Sequence, residues 1–155
     1  MSYPKVKMFS DYPADITIRP VLQSDMDSVI EMLQSLSEFR PLKSEYIRIW
    51  NDFRKQNNVY SLVAILDNQV VGYGSIVIET KIRGGKMGHI EDVVAHSRFQ
   101  KRGIGKAIVG ALSDIAKAYG CYKVGLQCKE HNVKFYEECG YKVSGLAMQV
   151  YIERK

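Results

Sequence analysis

The chain has 155 residues, which is the size of one compact domain with one hydrophobic core. Hydrophobic residues make up 46% of the chain and charged residues 25%, a composition typical of soluble globular proteins. No apolar run approaches the ~20 residues that cross a bilayer, and the N-terminus lacks the apolar core of a secretory signal. We therefore expect a cytoplasmic protein that does not bind a membrane. The formal charge of +5 indicates an anionic partner but is modest for a nucleic-acid-binding protein, so we expect no nucleic acid.

The cysteines predict neither a disulfide framework nor a metal site. Cys121, Cys128 and Cys139 give an odd count, and their spacing is not that of zinc ligands. We expect reduced thiols and no metal cofactor.

The first third of the chain predicts one strand and two helices. Residues 1–14, which include Pro4, are interpreted as a tail or loop. Alternation of apolar and polar residues predicts a strand at 16–20. Apolar residues spaced three and four apart predict an amphipathic helix from 24 to about 37, and a second helix follows at about 44–54.

The rest of the chain alternates strands and helices. Two β-rich runs, 59–66 and 70–80, flank the turn residues Asp67-Asn68-Gln69 and predict a hairpin. The remaining predicted elements are a strand at about 87–95, a helix at 103–119, a strand at 122–128, a short helix at 132–138 and a last strand at 146–152. This order, without repeats or linkers, predicts a single α/β (α+β) domain over 1–155, with a mixed sheet and helices on both faces.

The stretch 100–107, QKRGIGKA, joins a predicted strand to a predicted helix and indicates a phosphate site. The start of a helix leaves backbone N–H groups free to hold a phosphate, and Gly103 and Gly105 let the backbone approach a ligand closely. Further positive charge comes from Lys101, Arg102 and Lys106. The nucleoside triphosphate pattern GxxxxGK[ST] and the dinucleotide pattern GxGxxG both fail here. The stretch therefore predicts a pyrophosphate cradle of another kind.

The remaining pattern, [QR]xxGxG at a strand-to-helix junction, resembles the acetyl-CoA loop of the GNAT family of N-acetyltransferases, and the order of elements is that of the GNAT fold. The segments HIEDVV, GCYKVGLQC and NVKFYEECGY around this loop resemble the glucosamine-6-phosphate N-acetyltransferases. The resemblance implies a mostly antiparallel sheet whose fourth and fifth strands splay apart. It also implies direct acetyl transfer from acetyl-CoA to the amine of glucosamine 6-phosphate, on the route to UDP-N-acetylglucosamine. Finally, it implies a homodimer in which the strand at 146–152 crosses to the partner subunit.

The resemblance assigns three catalytic roles. Amine attack on a thioester needs a neutral amine, a donor to the carbonyl oxygen and a proton for the leaving thiolate. The backbone N–H of about Val94 would polarise the carbonyl, Tyr136 would donate to the thiolate, and Asp92 would hold the amine or sugar hydroxyls. From the residues alone, Tyr136 could instead pack in the core, and Glu91 or Asp92 could form a structural salt bridge.

The binding residues are also implied by the resemblance. The cofactor contacts are Val93, Val94, Arg102, Gly103, Ile104, Gly105, Lys106, Ala107, Asn132, Phe135 and Tyr136. The substrate contacts are Ser37, Lys81, Ile82, Arg83, Glu91, Asp92, Lys123 and Val124. Lys123 is the expected partner of the 6-phosphate as a point charge, whereas Lys81 and Arg83 could equally be solvated.

The sequence departs from the family pattern at two positions. Gln127 stands where related enzymes carry Asp or Glu, and a glutamine cannot act as a base. The family ends in an arginine after a strand that begins with methionine. Here Met148-Gln149-Val150 is followed by Tyr151, and Arg154 stands three residues after Tyr151. The alternatives are therefore the same fold acting on another small amine or a protein N-terminus, or a non-catalytic acyl-CoA-binding module. No histidine is placed to activate Cys128, which favours direct transfer over a covalent intermediate.

Overall fold

The computed structural model describes residues 2–4, 13 and 15–153. Its strands are β1 (Thr17–Pro20), β2 (Val59–Leu66), β3 (Gln69–Thr80), β4 (Lys86–Ala95) and β5 (Cys121–Leu126). Its helices are α1 (Met26–Leu33), α2 (Tyr46–Arg54), α3 (Ile104–Ala118) and α4 (Val133–Glu138). Within the described residues, no helix combines the length and apolarity that a membrane span requires.

The five strands form one sheet in the order β1-β2-β3-β4-β5. All neighbours are antiparallel except β4 and β5, which are parallel. Asp67 and Asn68 have φ of 49° and 59°, as a tight turn between twisted antiparallel strands requires. Parallel strands need a long crossover, and α3 supplies it between β4 and β5. The predicted mixed, mostly antiparallel sheet is confirmed.

Helices cover both faces of the sheet because side chains alternate along each strand. On β2, Leu62 belongs to the buried cluster that contains Ile108 of α3. Its neighbour Val63 joins the opposite cluster, with Met32 of α1. Val63 is fully buried, so both faces of this strand contribute to the core.

Two glycines of β3 let α3 lie unusually close to the sheet. A Cβ on Gly72 would lie 2.5 Å from Cγ2 of Ile104, and one on Gly74 would lie 2.6 Å from Cγ2 of Ile108. Any larger residue would push the helix away. The close approach holds the N-terminal end of α3 against the sheet.

Helix α1 is shorter than predicted because a side chain competes for its last turn. Gln34 Nε2 donates to the carbonyls of Ile30 and Phe39, at 2.9 and 2.8 Å. The backbone N–H of Phe39 donates to Gln34 Oε1 at 3.0 Å. The chain therefore turns after Leu33, and Ser37 lies outside the helix.

The predicted N-terminal tail is packed where the structure describes it. Residues 2–4 form no helix or strand, but the Tyr3 hydroxyl donates to the carbonyl of Ser61 and accepts from its N–H, both at 3.0 Å. The Tyr3 ring meets Tyr60 edge-on at 5.3 Å. The Ser61 carbonyl also accepts from the N–H of Val21, at 3.0 Å, so Tyr3 adds to the contacts at the end of the β1–β2 pairing. Residues 1, 5–12 and 14 lie outside the described residues.

The predicted last strand at 146–152 is not formed in the single chain. Residues 141–150 pair with no strand among the described residues, and Leu146 and Met148 are 99% and 96% exposed. A strand needs a hydrogen-bonded neighbour, and this segment has none among the described residues of its own chain. The pairing of 146–152 with a partner subunit stays a prediction. Arg154 lies outside the described residues.

Candidate active site

Strands β4 and β5 separate at the middle of β4. Their pairing ends at Ile90 and Leu126, while β4 continues to Ala95 beside β3 alone. This leaves an opening between the second half of β4 and the chain that follows β5, as the resemblance implies. The opening exposes backbone groups that a bound acyl group could contact.

A β-bulge lies at the start of this opening. The β3–β4 register shifts between Tyr73 and Ser75. As a result, two residues of β4, Asp92 and Val93, lie opposite the single residue Gly74 of β3. Asp92 has φ of 55°, a conformation that costs roughly 1 kcal/mol for an L-residue. The bulge redirects Asp92, so simple alternation no longer fixes the faces of Glu91 and Asp92.

The Asp92 carboxyl is exposed enough to meet a ligand and crowded enough to change its acidity. Burial of the carboxyl raises the pKa of Asp92. Among the described residues, neither Glu91 nor Asp92 forms an ion pair. The alternative of a structural salt bridge therefore has no support in this chain.

The backbone N–H of Val94 is directed away from the opening. Val94 pairs with Tyr73, and on the same register the N–H of His96 donates to the carbonyl of Val71 at 2.8 Å. Hydrogen-bonded pairs alternate along an antiparallel ladder, so the Val94 N–H donates to Tyr73. Its side chain is buried against α1. The N–H of Val94, the predicted donor to the thioester, is therefore bonded to Tyr73 within the sheet. The N–H of the next residue, Ala95, points away from β3 and toward the opening.

The loop before α3 forms the predicted cradle. Gly103 precedes the helix with φ of 78°, and Lys101 also has a positive φ of 63°. The first N–H to bond within the helix is that of Ala107, which donates to the carbonyl of Gly103 at 2.9 Å. The N–H groups of residues 104–106 therefore have no acceptor in the helix and can bind an anion.

Helix α4 closes one side of the cradle. A Cβ on Gly105 would lie 3.2 Å from Cζ of Phe135, so this glycine allows α4 to contact the first turn of α3. The ring of Phe135 meets Tyr136 edge-on at 4.9 Å. Asn132 stands at the N-cap of α4, but its side chain makes no capping hydrogen bond, because a 3₁₀ turn over Glu130–Asn132 leads into the helix.

Tyr136 is half-buried beside the separated end of β5. Burial raises the pKa of its phenol, and the nearby Cys128, Cys139 and Tyr141 act in the same direction. The phenol is therefore protonated at neutral pH and can donate a proton. Its ring lies 6.2 Å from that of Tyr141, whose hydroxyl is 2.8 Å from Ser113 Oγ. Tyr136 thus packs against neighbouring side chains and also lines a cavity. Its position is compatible both with packing in the core and with donation to a ligand.

That cavity has a volume of about 360 Å³, within the range of small-molecule sites. It lies between β5, α4 and the extended segment at 142–147. Gln127, Cys128 and Tyr136 line it. It is therefore bounded partly by the segment that lacks a strand partner.

The predicted substrate residues fall into separate groups. Lys81, Ile82 and Arg83 form the β3–β4 turn, and Lys123 and Val124 pair with Met87 and Gly88 near that turn. Glu91 and Asp92 lie further along β4. Lys86 pairs with Thr80 and Glu91 with Ser75, so five residues, or about 17 Å of strand, separate the two ends. Val124, opposite Gly88, is nearer to this carboxylate pair, at three residues or about 10 Å of strand from Glu91.

The cations of the turn already have neighbours. Lys81 Nζ lies 2.9 Å from Glu79 Oε2, which also lies 2.7 Å from His89 Nε2. These contacts lower the pKa of Glu79, and the hydrogen bond to Lys81 has the larger effect. Lys123 Nζ lies 5.6 Å above the ring of Tyr122. Ser37 is exposed beyond α1.

Sequence reasoning missed a buried polar cluster beneath the bulge. Ser61, Ser75 and Tyr73 are each at most 6% exposed, and the Tyr73 hydroxyl donates to Ser61 Oγ at 3.4 Å. Burial raises the pKa of Tyr73, and the nearby Asp92 carboxylate contributes in the same direction. The only local signal was the alternation of Tyr73 and Ser75 on β3, because Ser61 stands on β2 within an apolar run.

Comparison with known proteins gives a consistent family. The model of the acetyltransferase (GNAT) family matches residues 26–141. Glucosamine 6-phosphate N-acetyltransferase 1 of Dictyostelium discoideum is 38% identical over 143 residues, which are 88% of this chain and 91% of that protein. Glucosamine 6-phosphate N-acetyltransferase of Trypanosoma brucei brucei is 34% identical over 140 residues, which are 88% of this chain and 95% of that protein.

A solved structure agrees with the sequence relatives. The crystal structure of glucosamine-6-phosphate N-acetyltransferase from Arabidopsis thaliana superposes with a TM-score of 0.83 at 34% identity. The match covers 89% of this chain and 99% of that one. The cradle, the separated strands and these relatives lead to one conclusion: the chain belongs to the acetyltransferase (GNAT) family and is an N-acetyltransferase.

Proposed function

We propose that this protein transfers the acetyl group of acetyl-CoA to the amine of glucosamine 6-phosphate. The observation that carries the proposal is the bulged opening between β4 and β5, which lies between a helix-end phosphate cradle and a half-buried tyrosine. The names of the relatives above support the choice of acceptor. Bound acetyl-CoA would supply an activated acyl group, and the chain would supply orientation and protons.

The cradle would hold the coenzyme by its pyrophosphate. The N–H groups of residues 104–106, in the first turn of α3, would donate to the pyrophosphate. Arg102 and Lys106 would add positive charge beside it. Phe135 and Asn132 at the start of α4 would contact the coenzyme arm, and Ile104 and Ala107 would shape the helix end. The thioester would then reach the opening beside Val93.

Asp92 would hold the amine of the acceptor. A carboxylate favours the ammonium form, and the raised pKa of Asp92 makes it a stronger base than an ordinary aspartate. The amine must lose a proton before it attacks, and this proton would pass to solvent water. A backbone carbonyl could only orient the amine, as the acceptor of a hydrogen bond. Gln127 cannot serve as that base.

The thioester carbonyl would receive a backbone hydrogen bond from the second half of β4. The Val94 N–H is used within the sheet, so the donor would be an N–H that faces the opening, such as that of Ala95. Such donors stabilise the negative charge that develops on the oxygen. After attack, the C–S bond breaks, and the Tyr136 hydroxyl would donate its proton to the thiolate.

The acceptor site would be completed by a second copy of the chain. Lys123 lies opposite Met87, five residues or about 17 Å of strand from Asp92, and this spacing favours an acceptor held by two subunits. Leu146, Met148 and Ile152 are 99%, 96% and 86% exposed, which is costly for apolar side chains that no partner covers. We therefore propose a homodimer in which the segment at 146–152 pairs with the partner.

The test is release of the coenzyme A thiol from acetyl-CoA in the presence of single amines. The panel contains glucosamine 6-phosphate, glucosamine, spermidine and a short peptide. Saturable turnover that is at least tenfold more efficient on the sugar phosphate than on every other amine supports the proposal. Preference for another amine contradicts the acceptor, and binding of acetyl-CoA without turnover on any amine contradicts the catalytic assignment.

A further inference from the structure

An acidic residue lies beside the positive charge of the cradle. Arg102 Nη2 donates to Asp15 Oδ2 at 3.2 Å, across 87 positions of sequence. The two side chains are 51% and 54% exposed, so an incoming ligand can reach their contact. A carboxylate therefore lies next to the point where a pyrophosphate would bind.

Asp15 belongs to a turn that the core holds in place. The N–H of Ile16 donates to the carbonyl of Pro13 at 3.0 Å, and the side chain of Ile16 is only 6% exposed. On its other side the turn touches the cradle, since Pro13 Cγ lies 3.5 Å from where a Cβ of Gly103 would be. The position of the carboxylate is thus set by the fold rather than by a free tail.

Arg102 differs from the other cations of the loop. Among the described residues, Lys101 and Lys106 form no ion pair, whereas Arg102 has Asp15 as a partner. A coenzyme pyrophosphate would have to share the guanidinium with this carboxylate, which also repels it. Exposed charges interact weakly, so the effect is a modest adjustment of affinity.

We propose that Asp15 competes with the coenzyme pyrophosphate for Arg102 and so weakens coenzyme binding and speeds the release of coenzyme A. This inference depends on the proposed function, because it requires coenzyme A in the cradle. The product retains the same pyrophosphate as acetyl-CoA, so one carboxylate acts on both. Asp15 is a residue that adjusts affinity and takes no part in the bond-breaking step.

The test compares coenzyme A binding by calorimetry in the wild type and in Asp15→Asn, which keeps the shape and removes the charge. The variant should bind coenzyme A about threefold more tightly at low ionic strength, and high salt should remove most of the difference. Asp27→Asn is the matched control, because Asp27 is an exposed aspartate, 3.5 Å from Lys43, on a helix at the opposite face of the sheet. It should leave coenzyme affinity unchanged.

A second substrate separates charge competition from a structural effect. Acetyl-pantetheine lacks the pyrophosphate, so Asp15→Asn should not change the efficiency with which the enzyme uses it. Unchanged or weaker binding of coenzyme A, or an equal change for acetyl-pantetheine, would overturn the inference alone. Failure of the wild type to bind coenzyme A would overturn the proposed function and this inference with it.

Discussion

The candidate coenzyme residues are brought together within one chain, whereas the candidate acceptor residues lie in two separate groups along β4. The cradle, α4 and Tyr136 are brought together by contacts between α3, α4 and the sheet. The cations near the β3–β4 turn lie about 17 Å along β4 from Asp92. If the proposed homodimer forms, changes to the coenzyme residues should act within a subunit, and changes to the acceptor residues near the β3–β4 turn should act across the dimer.

The largest effect is expected for Gly103→Glu. The carboxylate would occupy the cradle, and the left-handed φ of 78° would strain any side chain. Acetyl-CoA binding, measured by calorimetry, should be lost. Gly103→Ala is the control for backbone strain, because it adds a Cβ without a charge. Retention of wild-type affinity in the glutamate variant would remove the loop from the coenzyme site.

Tyr136→Phe should lower kcat by roughly 10- to 100-fold, because a positioned general acid contributes at least about this much. The Michaelis constants should change little, since the ring remains in place. Tyr60→Phe is the control, because Tyr60 is a buried tyrosine of the same core cluster, beside Tyr3 and Tyr119. A loss confined to the KM for acetyl-CoA would exclude Tyr136 from the chemical step.

Lys81→Ala tests whether the β3–β4 turn serves the acceptor and not the coenzyme. It should raise the KM for glucosamine 6-phosphate about tenfold and leave the KM for acetyl-CoA unchanged, because only the acceptor carries the contacted phosphate. Unphosphorylated glucosamine is the matched substrate and should show no such change. An equal rise for both acceptors would mean that Lys81 acts through Glu79 and the sheet, without contacting the phosphate.

Mixed dimers test whether the acceptor half comes from the partner. Coexpression of Lys81→Ala and Gly103→Glu subunits yields one site with an intact cradle and an intact partner lysine. That hybrid should recover close to half of the wild-type efficiency at limiting sugar phosphate. Efficiency no greater than the average of the two parent variants would place both halves within one chain.

The smallest expected effect is that of Tyr3→Phe. Its hydroxyl makes two hydrogen bonds to Ser61, and their loss should lower the free energy of unfolding by about 1–2 kcal/mol. Chemical denaturation measures this change, and steady-state kinetics should remain as in the wild type. A large kinetic effect would show that the N-terminal segment does more than stabilise the sheet.

Local patterns predicted most elements and the cradle. The spacing of apolar residues predicts α3 and the β2–β3 hairpin, because their apolar faces are continuous and their turns carry Gly, Asp and Asn. The loop at 100–107 was recognised because glycines and cations stand together at a helix start. Such features depend on neighbours within a few residues, which sequence spacing records directly.

The tertiary structure decided what distant residues do to one another. It set the bulge at Asp92, the direction of the Val94 N–H and the contact of Asp15 with Arg102, each of which depends on a register or a contact across the fold. Among the residues that the structure describes, the segment at 146–152 has no strand partner. The sequence by itself determined the elements and the family resemblance, because these follow local propensity and motif. The pairing and register of the strands depend on contacts between distant segments, which local patterns do not specify.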